Sequence, residues 1–104
     1  MTDRGTMDRI IREEARLIIL QELALQPDER LASGMLERVL KDAYMIRRGL
    51  AFVHAEMDYL AELGAIRVFR IEGAHIGELT ERGKRHLERS FVLDGVKRPD
   101  RQDT

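Results

Sequence analysis

The stretch "YLAELGAIRVFRIEGAHIGELTERGKRHLE" (59–88) decides the fold. Up to Leu63 its apolar residues keep helical spacing, and beyond Gly64 they do not. A glycine there suits a helix end, where left-handed backbone is wanted. "AIRVFRIE" (65–72) is β-branched and aromatic with charges interspersed, the composition of a strand. "GA" (73–74) is a turn signal and "HIGEL" (75–79) a second short strand, so the two read as a hairpin. Thr80 then opens a helix predicted over Glu81–Ser90. Its hydroxyl caps exposed backbone N–H groups, and Glu81 complements the helix dipole. Leu87 and Phe91 dock that helix on the core, and Gly83 permits its close approach to the sheet.

Upstream, the 3.6-residue period predicts three helices. Residues 7–25 form the first, with Ile11, Ala15, Ile18 and Leu25 on one stripe and Leu17, Leu20 and Leu23 or Ala24 widening it. Pro27 ends it, because the residue before a proline avoids helical backbone. Residues 33–43 form the second, with Ser33 as N-cap and Leu36, Val39, Leu40 and Ala43 buried. "YMIRRG" (44–49) is a turn, and Gly49 caps a third helix over 50–63. Val53, Met57, Leu60 and either Leu63 or Ala61 are its core positions. The expected organisation is a flexible segment 1–6, one domain over 7–91, and a polar, mobile tail over 92–104 that contains "LDGVKRPD" (93–100).

A hairpin that follows a helix-turn-helix is the wing of a winged helix domain. The predicted class is therefore α+β, mainly α: a winged helix-turn-helix of three helices, a two-stranded wing and a closing helix. A generic small α+β domain is the alternative. "YLAELGAIRV" followed by "GELTERGKRHLE" resembles the third helix, wing and closing helix of winged helix regulators, with Leu60, Gly64, Leu79, Thr80 and Gly83 in the matching places. "LTERG" with the later "GVKRP" (95–99) further resembles a family of small uncharacterised winged-helix proteins of Mu-like phages and prophages, over roughly residues 7–99. That resemblance implies the fold and a phage context, and no activity.

Composition narrows function by exclusion. The chain has 104 residues, 36% of them charged, yet a formal net charge of only -1. Any nucleic-acid contact must therefore be a local patch. The basic excess lies late: residues 82–104 carry seven basic and four acidic side chains. There are no cysteines, which excludes disulfides, thiolate metal sites and a cysteine nucleophile. "LIIL" (17–20) is far too short to cross a bilayer, and "MTDRGTMDR" bears no signal-peptide core, so a cytoplasmic protein without membrane contact is expected. His54, His75 and His86 have no metal-ligand spacing and read as exposed or half-exposed. Ser33 and Ser90 lack a nucleophile elbow, and no phosphate loop occurs. Neither an enzyme nor a cofactor is expected.

In a winged helix the third helix enters the major groove and the wing touches the backbone. On that plan Arg47, Arg48, Ala51, His54, Arg67 and Arg70 are the candidate contacts to double-stranded DNA. Leu50, Ala55 and Asp58 share the exposed face, and Lys84 and Arg85 begin the closing helix. Glu56, Asp58 and Glu62 oppose the reading, since each repels phosphate unless it turns away. The wing tip, Glu72–Ala74, carries no cation. The rival reading is a phage or host protein partner, met by Phe52, Tyr59 and Phe69, for example in phage assembly or packaging. A continuously positive face favours DNA, and a mixed one favours protein. The apolar girth of the first helix admits a homodimer, with a fully buried central helix as the alternative.

Overall fold

The computed structural model describes residues 3–101. The elements run α1 (Arg4–Leu25), β1 (Arg30–Ala32), α2 (Ser33–Tyr44), α3 (Leu50–Glu62), β2 (Ile66–Ile71), β3 (Ala74–Leu79) and α4 (Glu81–Leu87). The class is α+β and mainly helical. The sheet is antiparallel in the order β1-β3-β2, with β3 in the middle.

α1 is the central support. Ala15 to Leu20 are buried without interruption, as is Leu23, and the helix packs against α2, α3, α4, β1 and β3. Leu36 and Leu40 of α2, Val53, Met57 and Leu60 of α3, and Ile66 and Leu79 of the sheet complete the core around it. Burying each large side chain contributes about 1.5–3 kcal/mol, so this convergence on one helix is the main stabilising feature. Near the chain start, α1 runs back to Arg4 instead of Met7, because the Asp3 carboxylate accepts from the Thr6 amide and caps it.

Several local expectations hold. Gly49 sits at the α3 N-cap with φ 85°, and Gly64 adopts left-handed backbone after that helix. Thr80 caps α4, accepting from the Gly83 amide at 3.2 Å and donating to the Gly64 carbonyl at 2.6 Å. A Cβ on Gly83 would run into the Ala65 carbonyl and stand 2.7 Å from Leu79 Cδ1, so close approach of α4 to the sheet requires glycine.

Others are corrected. The sheet has three strands, because Arg30–Ala32 adds to β3 opposite Glu78, Gly77 and Ile76. Three residues show no period, which hides such a strand from pattern reading. Ser33 is the first residue of α2, not its cap: Ala32 holds that place, and the Ser33 hydroxyl is used elsewhere. α2 extends to Tyr44, and Met45, left-handed at φ 60°, stops it while the Ile46 amide bonds the Leu40 carbonyl. Ala43, expected inside, is exposed. α4 ends at Leu87 rather than Ser90, where Arg89 turns left-handed at φ 64°.

The largest correction concerns the tail. Its described part, 92–101, is packed rather than mobile: Leu93 and Val96 are core residues, and Pro99 is also buried. His86, read as exposed, is fully buried and explains the packing. Its Nδ1 accepts from the Leu93 amide at 3.0 Å, which leaves Nε2 protonated to donate to the Lys97 carbonyl at 2.8 Å. Arg89 donates to the Pro99 carbonyl. The Lys97 amide bonds the Glu13 carbonyl and its ammonium pairs with Glu14 at 2.8 Å, which tie the tail to α1. The remaining tail positions, 102–104, lie outside the described residues.

Candidate nucleic-acid interface

The turn before α3, the exposed side of α3 and the strand β2 hold all six candidate residues. Ala51 is exposed, between exposed Leu50 and Ala55. Arg47 is exposed and reaches only the Met45 sulfur, at 3.8 Å; no ion-pair partner lies near it among the described residues. Arg48 donates through Nη1 to Asp8 Oδ1 at 2.7 Å and lies 5.5 Å from the Phe52 ring centroid. Arg70 pairs with Asp58 at 3.0 Å, joining β2 to α3. Arg67 is 3.8 Å from Glu78, with 72% of its side chain exposed. Arg30 also reaches Glu78, at 2.8 Å.

His54 is half-buried, its ring stacked on His75 with centroids 3.7 Å apart and planes inclined 24°. Ser33 bridges the pair: its hydroxyl accepts from the His75 amide at 3.3 Å and lies 2.9 Å from His54 Nε2. Burial, and next the adjacent His75, hold the His54 pKa below its ordinary value; Asp58 acts in the opposite sense and Arg70 in the same. His75 Nδ1 is buried without a hydrogen-bond partner among the described residues. No group of three or more His, Asp or Glu able to hold a metal occurs among those residues.

The three opposing carboxylates meet different fates. Glu56 turns inward and is 1% exposed, held by Arg16 Nε at 2.6 Å and approached by Arg12 Nη1 at 3.6 Å. Asp58 is engaged by Arg70, and Glu62 stays exposed. The face is therefore mixed rather than continuously positive. Lys84 is also taken, paired with Glu29 at 3.0 Å. Of the three aromatics considered for a partner, Phe52 and Tyr59 pack against the core, while Phe69 is 40% exposed.

Pattern reading missed α1 as a contributor. Asp8, Arg12 and Arg16 stand at successive i, i+4 positions, one charged stripe on a helix that also carries a broad apolar one. That spacing was the available signal. The stripe faces the turn at Arg48 and the inward Glu56, so Arg48, Asp8, Arg12, Glu56 and Arg16 form one alternating chain of charges.

Fold and surface together define a small, mainly helical α+β protein, with no helix among the described residues long and apolar enough to cross a membrane. Over 90 residues the chain is 32% identical to a protein of Escherichia phage Mu described as "Uncharacterized protein gp26", an alignment that spans 86% of this chain and 92% of that relative. The chain belongs to the family of that Mu protein. No family model and no solved structure matches it.

Proposed function

We propose that the protein is a winged helix and a non-enzymatic DNA-binding regulator or accessory factor of a Mu-like phage or prophage. α2 and α3 form the helix-turn-helix, β2 and β3 the wing, and β1 the third strand beside them. The observation that carries the reading is the inward turn of Glu56. It removes the carboxylate in the middle of α3 from the groove-facing side, leaving small residues, Ala51 and Ala55, between Arg47 and Arg48 at one end and Arg70 at the other. Small side chains let a helix lie deep in a major groove, and the flanking arginines reach phosphate. Mixed charge makes the contact weak and its salt dependence shallow, since few counterions are released.

Fluorescence anisotropy with a labelled random-sequence duplex at low salt tests this. Wild type is expected to bind, and Arg47→Ala with Arg48→Ala to bind several-fold more weakly. Wild type that shows no retention on DNA overturns the reading.

The outer sheet face supports a second reading, a protein-docking module in phage assembly or packaging. Phe69 and Ile71 are exposed there, and with Arg30, Val68, Arg70 and Ile76 they line a shallow cleft of about 490 Å³. A partner from phage-bearing cells, retained equally in high salt and lost with Phe69→Ser, would favour it over DNA.

A further inference from the structure

The Asp8 carboxylate lies in a place built for an anion. One of its oxygens, Oδ1, accepts from Arg48 Nη1 at 2.7 Å, and the other, Oδ2, from Arg12 Nε at 2.8 Å. Two guanidiniums from distant parts of the chain, one on α1 and one in the turn before α3, thus close on the two oxygens of a single group. The hydrogen bond from Arg48 is the main reason that the Asp8 carboxyl titrates below its ordinary value. Arg12 is held in position from behind, its Nη1 lying 3.6 Å from the buried Glu56, whose other oxygen is fixed by Arg16. The clamp is therefore backed by the core on one side and open to solvent on the other: the side chains of Asp8, Arg12 and Arg48 are all 35–45% exposed.

We propose that Arg12 and Arg48 form a phosphodiester clamp, which Asp8 occupies in the free protein and a DNA backbone phosphate occupies in the complex. The inference rests on the DNA-binding reading and adds to it Arg12 as a contact and Asp8 as its internal competitor. A phosphodiester presents two anionic oxygens on one atom, as a carboxylate does, so it meets the same pair of donors. Asp8 is half-exposed and anchored only through these arginines, so its side chain can swing aside without disturbing the core. Exposed ion pairs contribute little to stability, which makes the exchange cheap. The clamp flanks the start of α3, where the backbone beside an occupied major groove passes in a helix-turn-helix complex.

The test is a mutant cycle in the full chain: wild type, Asp8→Asn, Arg48→Ala and the double variant, each checked for unchanged thermal unfolding. Asp8→Asn keeps the shape of the side chain and removes the competing charge. It is expected to tighten duplex binding several-fold, and the double variant is expected to bind no better than Arg48→Ala alone. Loss of Arg48 should also flatten the salt dependence by roughly 0.9 in the log–log slope, the loss of one phosphate contact. Unchanged affinity in Asp8→Asn, or a gain that persists without Arg48, overturns the clamp, because net charge alone would then account for the data. A parallel titration with dimethyl phosphate, read from arginine Nε–Hε resonances, separates the clamp from the DNA reading. Shifts of Arg12 and Arg48 in Asp8→Asn, absent from the double variant, sustain the clamp even if no variant binds DNA, in which case only the regulator reading falls. No shift together with no DNA binding overturns both.

Discussion

Two arginine–carboxylate pairs, both between elements distant in sequence, show how burial decides what a charge does. Arg16 and Glu56 meet at 2.6 Å between α1 and α3, 9% and 1% exposed. Arg70 and Asp58 meet at 3.0 Å between β2 and α3, with side chains 62% and 48% exposed. The first pair has further partners on every side: Arg16 donates to the Gly95 carbonyl at 2.8 Å and lies 3.6 Å over the Tyr59 ring, whose hydroxyl donates to the Asp94 carbonyl. The second is open to solvent. Desolvated charge is tolerable only when paired and hydrogen-bonded, so the first pair is committed to holding α1, α3 and the tail together. The second remains available for exchange with a ligand.

The sharpest way to break this contrast is Glu56→Ala. It strands the Arg16 guanidinium in the core, and a loss of about 3–5 kcal/mol is expected, read from urea unfolding. A loss below about 1 kcal/mol would mean that water or a neighbour rescues Arg16, and the two pairs would then not differ in kind. Leu93→Ala tests the tail's share of the inner region: a loss of about 2–3 kcal/mol is expected, toward the low end for a buried leucine because a chain end can settle into the gap. If stability does not change, the tail is not part of the core.

The histidine stack lies between the two regimes, and acid probes it. With its pKa held below the ordinary 6.5, His54 binds fewer protons folded than unfolded. Its contribution is complete above 6.5 and is lost as pH falls toward the lower folded value. The urea midpoint should fall on acidification through that window, and less so in His54→Gln. A midpoint that rises on acidification would contradict the burial of this ring. The smallest effect is expected outside: Arg67→Ala and Arg70→Ala should each change stability by no more than about 0.5 kcal/mol. A larger loss for Arg70→Ala would show that its pair with Asp58 fastens β2 to α3.

Legibility follows the same division. Helices α1 to α3, the hairpin and the Thr80–Gly83 junction were readable because each is written locally, in period, turn chemistry and caps. What escaped depends on partners far away in the chain. His86 gives no sign of burial until Leu93 and Lys97 supply its hydrogen bonds, and those residues sit in a segment that is polar by count. Leu93, Val96 and Pro99 stand three apart in "LDGVKRPD", a spacing too short to outweigh its charges in any window. β1 is too brief for its period to register. Of the interface, the candidate cations were legible as residue types, whereas their pairing with Asp8, Asp58 and Glu78 was not. Arg12 was hidden because α1 was read for its apolar stripe, and Asp8, near the helix start, reads from sequence only as a complement to the helix dipole.

The bond between Arg16 and the Gly95 carbonyl spans 79 positions of the chain, and this has a consequence for how the molecule is made. Closing so long a loop costs entropy before its contacts return any. At roughly 5–20 residues per second of synthesis, α1 waits several seconds for the partners that satisfy its buried arginine. The central helix is made well before Gly95, and it cannot reach its final surroundings until that residue is in place.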